Sequence, residues 1–155
     1  MKKNLQNGMT ALEVIIVIII FIIITSAVLA QFSKLKEAQS LKSATSEIIS
    51  AIARAQTETL GSVDSSEYGV HFQSDKVIIF KGTTYSSGSS SNETILISSP
   101  VSISNVTLGG VSGVSGDMYF NRLYGVPSAT GTVTVSTSST SKIITISATG
   151  QASLN

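Results

Sequence analysis

From Val14 to Ala30 the chain reads VIIVIIIFIIITSAVLA, with no charge, proline or glycine. Such an isoleucine-rich run is a poor helix former in water, because the β-branched side chains lose rotamer freedom. In lipid the backbone must satisfy its own hydrogen bonds, and a helix does so. Together with Met9 to Leu12, the run reaches the length of a membrane span, placed at about 9–30. Lys2 and Lys3 form a basic flank that puts the amino terminus on the cytoplasmic side. One carboxylate, Glu13, stands at the head of the run. A charge in a membrane-length segment is costly and marks function.

Two simpler readings share the span. A secretory signal peptide would be cleaved after the apolar run, and Ser26 to Ala30 offers a loose small-x-small site. A generic single-span anchor would not be cleaved. Neither accounts for Glu13, or for Gly8 five residues before it.

The segment Gly8-Met9-Thr10-Ala11-Leu12-Glu13, preceded by a short basic leader, resembles the processing site of type IV pilins and of type II secretion pseudopilins. With Met9 counted as the first mature residue, Glu13 is the fifth. The resemblance implies cleavage after Gly8 by a prepilin peptidase and N-methylation of Met9. It also implies docking to an inner-membrane assembly platform. Met9 replaces the usual Phe, and Ala11 stands where Leu is common; both remain apolar. Many pilins staple their carboxyl-terminal region with a disulfide, and this chain has no cysteine.

Glu13 has a physical rationale within that resemblance. A carboxylate in hydrocarbon needs a partner or must become neutral. Cleavage after Gly8 creates an α-amino cation on Met9 at nearly the same depth. Among parallel helices, Glu13 of one subunit can meet the Met9 amine of another. Such a pair fixes register more than it adds stability.

The expected fold class is α+β, in three segments: leader 1–8, a long helix over 9–60, and an extracytoplasmic β-rich domain over 61–155. The helix reading continues to Leu60, because Val14 to Leu60 holds no proline or glycine. Its length would be roughly 70 Å. Phe32, Leu35, Leu41, Ile48 and Ile52, with Ala38, Ala44, Ala51 and Ala55, recur at helical spacing and predict a stripe against a sheet. Gly61 is the expected stop.

Beyond Gly61 the period changes to that of strands. Tyr68–Phe72 and Lys76–Phe80 form an expected hairpin, followed by Glu93–Ile97, Val101–Ser104 and Asp117–Phe120. Gly131–Ser136 and Lys142–Ser147 form a second hairpin. About 95 residues are enough for one modest core. The expected architecture is an antiparallel, sandwich-like or strongly curved domain with the helix on one face. YGVHF, KVIIFKG, a serine-rich stretch, FNRLYGVP and KIITISATGQ, in that order, resemble minor pseudopilins of the GspH/FimT type.

No residue set points to catalysis, a cofactor or a metal. His71 is the only histidine and would lack partners for a metal centre or a nucleophile pair. Gly109, Gly110, Gly113 and Gly116 lack the Gly-Lys-Ser/Thr and helix of a phosphate loop. Asn92-Glu93-Thr94 and Asn105-Val106-Thr107 fit the glycosylation sequon, a pattern short enough to arise by chance. Ser86–Ser91 reads as an exposed loop and Arg122 as a surface residue.

Removing Lys2 and Lys3 takes the side-chain charge from +1 to −1, which disfavours nucleic acid. Some FimT-like proteins bind DNA through basic residues near the carboxyl end. Here Thr149–Asn155 carries none, so DNA is not expected as a direct ligand. The expected role is a structural subunit whose partners are other pilin or pseudopilin subunits and membrane lipid. The expected location is the inner membrane, with one span and the carboxyl-terminal domain outside the cytoplasm. The alternatives are a DNA-uptake minor pilin and a membrane-anchored adhesin.

Overall fold

A helix forms without interruption wherever no residue breaks its hydrogen-bond ladder. A computed structural model, which describes residues 10–155, contains one such helix, α1 (Ala11–Leu60). Gly8 and Met9 lie outside the described residues. The chain divides into two compact units after Lys36. In the first, the described large apolar side chains of α1 are exposed. Phe32 and Leu35, expected in the core-facing stripe, are 67% and 68% exposed, and Ala38 is exposed as well. The buried stripe begins at Leu41 and continues through Ala44, Ile48, Ala51, Ile52 and Ala55.

The second unit is antiparallel throughout. Its strands are β1 (Tyr68–Gln73), β2 (Lys76–Lys81), β3 (Glu93–Leu96), β4 (Ser102–Leu108), β5 (Val111–Gly113), β6 (Gly116–Tyr119), β7 (Gly131–Ser136), β8 (Ser141–Ile146) and β9 (Ala152–Leu154). They form a four-stranded sheet, β3-β2-β1-β6, and a five-stranded sheet, β5-β4-β7-β8-β9. The architecture is therefore α+β, with one long helix and two antiparallel sheets. The β1–β2 and β7–β8 hairpins agree with the sequence reading.

Three strand readings need correction. β4 runs four residues past the expected Ser104. A register shift between Ile103 and Asn105 breaks the alternation there, so the inward residues are Ile103, Val106 and Leu108. β5 and β9 had not been expected; each is only three residues long and poor in β-branched side chains. The helix stop agrees with the sequence reading, since α1 ends at Leu60. Gly61 does follow α1, and its N–H donates to the Thr57 carbonyl at 2.8 Å. Left-handed backbone follows at Ser62, Asp64 and Ser65 (φ 49°, 48° and 53°).

One apolar cluster joins the stripe of α1 to the inner faces of both sheets. Val70, Phe72 and Val77 line it from one sheet, and Val106, Val133 and Ile144 from the other. Thr59 ties the helix end to β1: its hydroxyl donates to the Ala55 carbonyl at 2.8 Å and accepts the Tyr68 N–H at 2.9 Å. Close backbone approach requires glycine at Gly131, where a Cβ would fall 1.8 Å from the Thr107 carbonyl oxygen.

The outer face of the four-stranded sheet has a cover of its own. Ile78 and Phe80 are buried but stand outside the main cluster. Alternation places them on the opposite face from Val77 and Ile79. The β2–β3 loop folds back so that Tyr85 stacks on His71, with centroids 3.9 Å apart, and meets Phe80 edge-on at 5.8 Å.

Candidate functional site

The candidate site is the exposed apolar surface of α1 with the carboxylate at its start. Thr10 sets the first turn. Its hydroxyl accepts the Glu13 N–H at 3.3 Å, and its carbonyl accepts the Val14 N–H at 3.2 Å. Thr10 and Glu13 have the Thr-x-x-Glu spacing of a capping box. Glu13 also sits among the free N–H groups of the first turn, where a negative charge is favourable. The site thus gives Glu13 a role within its own helix that the sequence reading had missed, although the spacing was visible.

From Leu12 to Ile24 every large apolar side chain faces outward, none of them less than 41% exposed. The two hydroxyls in the run turn inward to the helix. Thr25 donates to the Phe21 carbonyl and Ser26 to the Ile22 carbonyl, each at 2.7 Å. This back-bonding leaves no hydroxyl donor seeking water on that surface. The helix is long and apolar enough to cross a membrane. From Glu13 to Lys34 it carries no other charge.

The remaining candidates are held by local structure. His71 is buried between β2 and β6, with Nδ1 3.5 Å from the half-exposed Asp117 carboxylate. Among the described residues, no group of three or more His, Cys, Asp or Glu is placed to hold a metal. Gly109 and Gly110 form the left-handed turn between β4 and β5. The side-chain amides of both sequons are engaged: Asn92 donates to the Ser86 carbonyl at 2.7 Å, and Asn105 to the Thr107 hydroxyl at 3.1 Å. Arg122 clamps the turn after α1, donating to the Ser62 hydroxyl and the Ser65 carbonyl at 3.2 and 2.9 Å.

Several cations of the second unit are also engaged. Arg54 bonds to Glu93 and Glu58, and these two hydrogen bonds raise the pKa of its guanidinium. Lys81 meets Asp64 at 3.1 Å. The carboxyl-terminal segment Ala152–Leu154 forms β9 at a sheet edge. Comparison with family models, curated proteins and solved structures returns no match for this chain.

Proposed function

We propose that the chain is a minor pilin or pseudopilin, a structural subunit of a type IV pilus-like or type II secretion filament. The observation that carries this reading is the exposed apolar surface of α1 with Glu13 in its capped first turn. That surface needs a nonaqueous environment, and both lipid and a bundle of like helices supply one. In this reading prepilin peptidase cleaves after Gly8, Met9 is N-methylated, and Glu13 meets the amine of a neighbouring subunit. The span holds the precursor in the inner membrane with the β-rich domain outside the cytoplasm. The engagement of Arg54, Lys81 and Arg122 supports a structural role rather than direct DNA binding.

Mass spectrometry of the amino terminus, on protein recovered from its native membranes, tests the proposal. The expected species begins at N-methylated Met9. Cleavage near Ala30, or an uncleaved leader, would overturn it.

A further inference from the structure

Strand edges carry unpaired backbone donors and acceptors, and an edge left open invites another strand. The two sheets end at β3, β6, β5 and β9. The edge of β6 is covered at Tyr119, which exchanges hydrogen bonds with Ser128 at 2.8 and 3.0 Å. β3 differs. It pairs with β2 from Glu93 to Leu96, and among the described residues its other edge makes no backbone hydrogen bond.

A trench runs beside that edge, along the flank of α1. Two adjoining cavities of about 280 and 240 Å³ meet at Glu47. Ser43 and Ser50 line the helix side and Ile95 the strand side, with Leu96 bordering the first cavity at the end of β3. Ile95 shares the inner face with Val77, so a strand laid against β3 would point alternate side chains at the trench. Its other side chains would lie beside Leu96, which is 67% exposed. Charge narrows the choice of occupant. Arg54 is held by Glu58 and Glu93, whereas Glu47 has no ion-pair partner among the described residues.

We propose that the free edge of β3 accepts an extended peptide of another polypeptide as a fifth strand of that sheet. The peptide is apolar on the face beside Leu96 and basic opposite Glu47. Only an extended backbone matches the edge hydrogen bonds, while the alternating side chains give selectivity. This surface is independent of the filament reading, which rests on the amino-terminal part of α1.

The test uses the full chain in detergent micelles and two synthetic probes. One is the capped heptapeptide Thr-Val-Lys-Val-Lys-Val-Thr; the other has glutamate in place of both lysines. Hydrogen exchange should slow across Glu93–Leu96 when the lysine peptide saturates. That peptide should bind about two- to fivefold more tightly than its glutamate twin, the range of a surface ion pair. Glu47→Lys should reverse the preference. Ser43→Trp fills the trench from an exposed helix position and should abolish binding without changing the helical circular dichroism. Unchanged exchange at Glu93–Leu96, or a charge preference that survives Glu47→Lys, would overturn the proposal.

Discussion

Phe80 occupies the space that a side chain at Gly69 would need. A Cβ there would fall 2.4 Å from the Phe80 Cζ and 2.5 Å from the Met118 carbonyl oxygen. The second neighbour is backbone and cannot rotate away. Gly69→Ala should therefore cost roughly 2 kcal/mol or more by overpacking. Chemical denaturation of the variant checks this. Adding Phe80→Ala should relieve only part of the strain, so the two changes will not be additive.

Thr59 accepts the buried Tyr68 N–H, and no apolar side chain of the same shape can replace that oxygen. Thr59→Val should destabilise the second unit by about 1–3 kcal/mol, the penalty for an unpaired buried donor. Thr59→Ser should recover most of the loss. Paired denaturant melts of the two variants measure the difference.

Burial pushes the Tyr68 phenol above its usual range, and the nearby Asp64 carboxylate pushes in the same direction. The folded state thus favours the neutral phenol. Its contribution is intact below about pH 10, where a free tyrosine ionises. It is lost as pH rises further, because the unfolded chain releases its proton first. Stability should fall more steeply between pH 10 and 11 in the parent than in Tyr68→Phe, as urea melts across that range will show.

Glu13 sits in a helix cap and at the head of an apolar surface, and the two roles separate by substitution. Thr10→Ala removes the cap, about 1 kcal/mol of local helix stability, and leaves the charge. Glu13→Gln removes the charge and leaves a good capping-box residue. Under the filament reading, Thr10→Ala should enter sheared filaments at near-parent levels and Glu13→Gln should not. Equal loss in both would assign Glu13 to capping alone.

The parts legible in the sequence were those governed by one strong period. The unbroken helix and both hairpins followed from it. Phe32 and Leu35 kept the helical spacing yet stayed exposed, because spacing identifies a stripe and not what lies against it. The expected β4 stopped at Ser104, because a bulge shifts the strand's alternation there. The left-handed backbone after α1 falls on Ser62, Asp64 and Ser65 rather than on Gly61, which local propensity favours. Tyr85 was unreadable as a cover for His71, since nothing local in a serine-rich loop specifies which sheet face it returns to. At the candidate site, Glu13 stood out by its charge, but its bond to Thr10 required the backbone.

The fastening of that loop has a consequence for engineering. Between Gly82 and Asn92 the side chains that reach inward are Tyr85, on His71 and Phe80, and Asn92, which closes the loop on Ser86. Ser87 to Ser91 face solvent. Length and composition can therefore drift between the two fastenings while the sheet beneath stays sealed. A short epitope tag inserted after Gly88 should leave the melting temperature unchanged and make the intact subunit visible to an antibody.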